Sequence, residues 1–76
     1  MPLIQIKVLK GALSAEQKKE MISRVSEIVA EIEARPYPKE KLLPHTWCIL
    51  EEVLPAQWGL GGQPLSLEAL KAVLSG

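Results

Sequence analysis

The chain has 76 residues, 47% of them hydrophobic, and its nine basic and nine acidic side chains cancel to no net charge. That balance gives no electrostatic footprint for nucleic acid and fits one soluble unit spanning residues 1–76. One cysteine excludes an internal disulfide, and one histidine without a Cys-x-x-Cys pair argues against a structural zinc site.

A chain this short buries a modest share of its surface, so without a staple it is expected to complete its core by assembling with other copies. No apolar run reaches the roughly 20 residues that span a bilayer. The amino terminus also lacks the charged, apolar and small-residue succession of a signal peptide. Together with the lone Cys48, this points to the cytoplasm and to no membrane partner.

Pro2 to Lys10 alternates, with Ile4, Ile6 and Val8 on one face and Gln5 and Lys7 on the other, which predicts a β-strand. Gly11 interrupts it. Ser14 with Gln17 three residues later forms a capping box, so a helix is expected from Ala15. Met21, Ile22, Val25, Ile28, Val29 and Ile32 recur at helical spacing, while Lys18, Lys19, Glu20, Arg24 and Glu27 face water. The helix runs about 20 residues, roughly 30 Å, and is stopped by Pro36 and Pro38.

Arg35 to Pro44 then reads as a loop, with Lys39, Glu40 and Lys41 as solvated surface. The apolar run Trp47-Cys48-Ile49-Leu50 inside 46–53 predicts a second strand, ended by Pro55. Two strands joined by a helical crossover lie parallel, giving a right-handed β-α-β unit. Gly59, Gly61 and Gly62 permit tight turns, most simply a hairpin or arm. Ser66 caps a short terminal helix with apolar residues at 67, 70, 73 and 74. The fold class is thus α/β (α+β), and a two-stranded sheet with unpaired edges and an uncovered face is incomplete as a monomer.

Side chains for catalysis are few. His45 and Cys48, three residues apart at a strand, project to opposite faces and make a poor base–nucleophile pair, so Cys48 reads as a small buried hydrophobe. The glycines lack the lysine of a phosphate loop. What remains is Met1-Pro2. A small second residue favours removal of the initiator methionine, which leaves a ring-held secondary amine. Its unperturbed pKa is about 8 by analogy with other α-amino groups, and an apolar pocket lowers it toward neutrality by disfavouring the cation. A base poised there suits proton transfer. On the dipeptide alone, the plainer reading is a proline at a strand edge.

The order of motifs changes that reading. Met1-Pro2-Leu3-Ile4-Gln5-Ile6, then Ser14-x-Glu16-Gln17-Lys18, then Val25-Ser26-Glu27, then Trp58-Gly59-Leu60-Gly61-Gly62 resembles the 4-oxalocrotonate tautomerase family across most of the chain. The resemblance implies a β-α-β unit with a C-terminal hairpin, assembled as hexamers or as related dimer- or trimer-based homo-oligomers. It implies that Pro2 is a general base that takes a proton beside a carbonyl and returns it to another carbon, with no metal or organic cofactor. It places substrate contacts at Leu9, His45, Trp47 and Trp58, with Trp58 as the aromatic that keeps the pocket apolar. Simple interface packing is the plainer role for Trp58.

The departures concern substrate. Family members that bind dicarboxylates use an arginine after the first strand and another in the second, where this chain has Ala12 or Leu13, and Trp47. Lys7, Lys10 or Arg35 are the remaining sources of a cation, and the 35–44 loop is several residues longer than the family's connection. The expectation is a less polar, aromatic-lined pocket for a monocarboxylate enol, an aldehyde or a ketone. The amine also has a nucleophile's chemistry, adding to a carbonyl or to an activated alkene. The competing class is a catalytically silent relative, acting as a binding protein or as a partner subunit in a hetero-oligomer. Intact-mass measurement of the mature chain should show loss of one methionine, and a retained Met1 would block the amine.

Overall fold

Apolar and polar side chains alternate along strand β1, Leu3–Leu9, because the pleat sends successive residues to opposite faces. The computed structural model describes all of residues 1–76. Strand β2, Trp47–Val53, pairs with β1 in parallel, from Leu3 opposite Trp47 to Leu9 opposite Val53. The ladder is continued by Trp47 N donating to Pro2 O at 3.0 Å and Lys10 N to Val53 O at 2.8 Å. This register puts Ile4, Ile6 and Val8 on one face with Cys48, Leu50 and Glu52. The other face carries Leu3, Gln5, Lys7 and Leu9 with Trp47, Ile49, Glu51 and Val53.

Gly11, at φ +88°, turns the chain out of β1. The helix α1, Ala15–Ala34, starts with the capping box expected: Gln17 N donates to Ser14 Oγ at 3.1 Å, and Ser14 N donates to Gln17 Oε1 at 2.8 Å. Lys18 Nζ donates to Glu52 Oε1 at 2.8 Å, which ties the first turn of α1 to the Ile4–Ile6–Val8 face. Ser26 and Ala30, one turn apart, are the buried residues of the helix, and Ala30 is wholly inaccessible. Small side chains at these positions let the helix backbone lie close to its neighbours. Arg35 leaves the helix with ψ 137°, the extended geometry a following proline demands.

The 35–44 segment is more ordered than a plain loop. It contains two 3-10 turns, Lys39–Lys41 and Leu43–His45, the second holding Pro44 in its first turn, where a missing amide donor costs nothing. Lys39 Nζ lies 3.8 Å from Glu27 Oε2, so this lysine leans on α1 and is not simply solvated. Cys48 is half-buried on the helix-covered face.

After β2 comes a 3-10 turn at Pro55–Gln57, then an antiparallel hairpin of β3, Gly59–Leu60, and β4, Gln63–Pro64. Gly61 at φ +60° and Gly62 at φ +84° make the two-residue turn that suits the twist of such a hairpin. Leu65 N donates to Trp58 O at 2.7 Å and closes it. Helix α2, Leu67–Ser75, begins with Ala69 N donating to Ser66 Oγ at 3.1 Å. A methyl carbon of Leu67 lies 3.1 Å from where a Cβ on Gly11 would stand, so α2 is seated on the turn after β1. No helix is long and apolar enough to cross a membrane.

The chain alone does not close a core. Leu9, Ser26 and Ala30 are its only buried residues. Its radius of gyration is 15.6 Å, against about 11 Å for a compact domain of this length. Its accessible surface of 5853 Å² exceeds the roughly 4,600 Å² of a compact monomer of this mass. Ile28 and Ile32, expected on the buried stripe of α1, are each 56% exposed.

Ala30→Leu should lower the urea midpoint by the equivalent of about 1–3 kcal/mol, because the added carbons have no space; an unchanged midpoint would contradict the close approach. The Lys18 hydrogen bond, helped by the Gly11 amide and the charges of Lys18 and Lys10 and opposed by desolvation, holds the Glu52 carboxyl below the usual carboxylate range. A carboxyl with a lowered folded-state pKa adds stability that is complete above its unfolded pKa and disappears as pH falls through the folded one. Acid titration of stability should therefore be shallower in Glu52→Gln across that window, and superimposable acid limbs would refute the coupling.

Candidate active site

The family resemblance named five residues, and the sheet distributes them between its two ends. Pro2 is half-buried at the entry to β1, and its carbonyl receives the Trp47 amide. Trp47 stands opposite Leu3 on the face that α1 leaves bare, the two side chains being 63% and 56% exposed. His45 ends the 3-10 turn two residues earlier, with its amide given to Leu42 O at 2.8 Å and its side chain exposed. The Met1 ammonium of the unprocessed chain lies 4.0 Å from Glu33 Oε1, near the end of α1. Pro2, His45 and Trp47 therefore gather at one end.

Leu9 and Trp58 are at the other. Leu9 is only 7% exposed, and it helps to line an apolar cavity of about 380 Å³ with Lys7, Ala12, Leu13, Trp58 and Leu70. A second cavity of about 280 Å³ shares Lys7 and Trp58 and adds Val53, Gln57 and Gly59. Ala12 and Leu13, which stand where the resemblance led one to look for an arginine, supply apolar wall. Arg24 borders a separate groove along the start of α1, and its guanidinium already pairs with Glu20. No three His, Cys, Asp or Glu side chains converge in a metal-holding group.

Pro2 and Leu9 are seven residues apart on an extended segment, and a rise of about 3.3 Å per residue separates them by roughly 23 Å. One chain thus holds its amine end and the apolar cavity beside Leu9 and Trp58 at opposite ends of β1. A site that uses both must take them from different chains.

Lys7 was one of three lysine or arginine candidates in the sequence, and only its place in the cavity singles it out. Leu65 and Leu70, which also line that cavity, were not foreseen. Their one sequence signal is the apolar face of the terminal helix, which has to lie on something.

The pattern of the tautomerase enzyme family matches residues 2–68 of this chain. A "Probable tautomerase Cj0270" from Campylobacter jejuni is 39% identical over 75 residues, covering 99% of this chain and 98% of the relative. "Probable tautomerase K2" from Dickeya dadantii is 30% identical over 66 residues, with 87% and 90% covered. Among solved structures, an apo unfused 4-OT superposes with a TM-score of 0.71 at 28% identity, covering 84% of this chain and 93% of that one. DmpI from Helicobacter pylori superposes with a TM-score of 0.61 at 27% identity, covering 93% and 97%.

Proposed function

This chain belongs to the tautomerase family, and from that premise we propose that it is a cofactor-independent tautomerase whose mature amino-terminal residue, Pro2, is general base and general acid. The observation that carries this reading is a ring nitrogen at the first residue of the family match, at the entry to β1. The neutral amine takes a proton from the carbon next to a carbonyl, leaving an enolate. The resulting prolyl cation then gives that proton to a different carbon or to the enolate oxygen.

Neutrality at working pH requires that water be kept from the amine. In one chain the Met1 ammonium next to Pro2 lies 4.0 Å from Glu33 Oε1, near the carboxyl end of α1. The apolar surroundings that would lower its pKa are those of Leu9 and Trp58, roughly 23 Å away along β1. We therefore place Pro2 of one copy against the Trp58 cavity of another within a homo-oligomer, a hexamer or a dimer- or trimer-based assembly. His45 and Trp47 form the rim on the Pro2 side. The substrate is a small carbonyl or enol compound, and the single half-buried Cys48 suits a reducing cytoplasm.

The bare positions Ala12, Leu13 and Trp47 favour one other reading, a silent tautomerase-fold subunit that binds ligands or completes a site in a mixed assembly. The two separate by experiment. With phenylenolpyruvate as substrate, Pro2→Ala should lower kcat on the order of 10²-fold or more while the assembly elutes unchanged on size-exclusion chromatography. Equal rates for the two proteins would defeat the catalytic assignment.

A further inference from the structure

We propose that Lys7 is the residue that recognises the substrate's carboxylate, and that helix α2 forms the wall that restricts the site to compounds with an apolar body and one anionic group. For turnover this rests on the reading of Pro2 given above; for binding it stands without it.

The cavity beside Leu9 has eight lining residues, seven of them hydrophobic, and the eighth is Lys7, which gives the wall its methylene stem while its ammonium stands at the exposed rim. Its volume of about 380 Å³ falls in the range of small-molecule sites, roughly 300–1,000 Å³. Lys7 also borders the adjoining cavity beside Trp58, so its stem crosses the boundary of the two spaces. It takes part in none of the four ion pairs of the chain, which join Met1 to Glu33, Lys18 to Glu52, Arg24 to Glu20 and Lys39 to Glu27. Glu51 is its register partner on the same open face, but the two do not come within ion-pair distance. Lys7 is thus an unengaged cation at the edge of an apolar space.

No other cation lines this cavity. Arg24 is held by Glu20, and Lys10 and Arg35 are not among the lining residues. An ammonium on a flexible stem meets one carboxylate as a point charge, without the fork that orients an arginine pair. A second carboxylate would face Leu13, Leu65 and Leu70, where nothing compensates its lost hydration.

That restriction comes from α2. Leu67, packed on Gly11, fixes the start of the helix, and Leu70 one turn later enters the cavity wall. Leu70 lies beyond residue 68, where the family match ends.

Isothermal titration of the assembled protein with 3-phenylpropionate, 3-phenylpropanamide and adipate tests this. The acid should bind about tenfold more tightly than the amide, the gain from one charge-assisted contact. Adipate should bind at least about tenfold more weakly than 3-phenylpropionate. Lys7→Met should erase the acid-over-amide preference while amide affinity stays unchanged, which also certifies the fold, and Lys7→Arg should retain the preference. A preference that survives in Lys7→Met, equal binding of acid and amide, adipate matching 3-phenylpropionate, or no binding by any of the three to the unaltered protein overturns the proposal. Pro2→Ala separates the two claims: it should lower turnover of phenylenolpyruvate on the order of 10²-fold or more yet keep the preference for acid over amide. Turnover unchanged with the preference intact would sink the catalytic reading alone, and turnover lost with no Lys7-dependent preference would sink this one alone.

Discussion

The parallel pairing of β1 with β2 leaves a sheet one helix wide, and a single helix can cover only one of its faces. α1 takes the Ile4–Ile6–Val8 side, held by the Lys18–Glu52 bridge and by the small residues Ser26 and Ala30. The opposite side keeps Leu3, Trp47 and Ile49 in water. Hydrophobic surface of that extent is stable in a soluble protein mainly when another surface covers it. A further covering surface would satisfy that demand, and β2, α1 and the C-terminal arm all carry exposed apolar residues that could meet one.

The same geometry decides where chemistry is possible. An extended strand separates its ends, so a proline at the entry to β1 and a tryptophan beyond β2 cannot meet in one copy. The exit of β1 is the sheltered end because the C-terminal segment folds back over Leu9 there and brings Leu65, Leu70 and Trp58 together around it. The turn at Gly11 serves both purposes. It redirects the chain into the capping box of α1, and its missing side chain leaves the space that Leu67 fills.

Much of this was legible in the residues themselves. Alternation in β1, the capping box at Ser14, the stop at Pro36 and the capping serine of α2 are local signals, and each local choice agreed with the final fold. The stripe on α1 was legible in a different sense: Ile28 and Ile32 have the right spacing for a buried face, yet they are exposed in one chain. Periodicity records that a residue is to be covered without recording by which chain. The separation of Pro2 from Trp58 was harder to see, because it depends on how the arm after β2 returns across the sheet. Lys7 gave no signal of its own, since a lysine at alternate positions of a strand reads as solvent-facing until a cavity is found beside it. The turns at Lys39–Lys41 and Leu43–His45 were hidden for the opposite reason, prolines being read as breakers when here they also begin short helical turns.

The distance along β1 has a genetic corollary. If each working centre borrows its nitrogen from one polypeptide and its indole from another, two defective alleles need not be equally defective together. A copy damaged at the second residue still offers an intact arm, and a copy damaged in the arm still offers an intact ring. Co-assembled, they would regenerate some whole centres that neither forms with its own kind, and selection would then act on the mixed assembly and not on the single gene product.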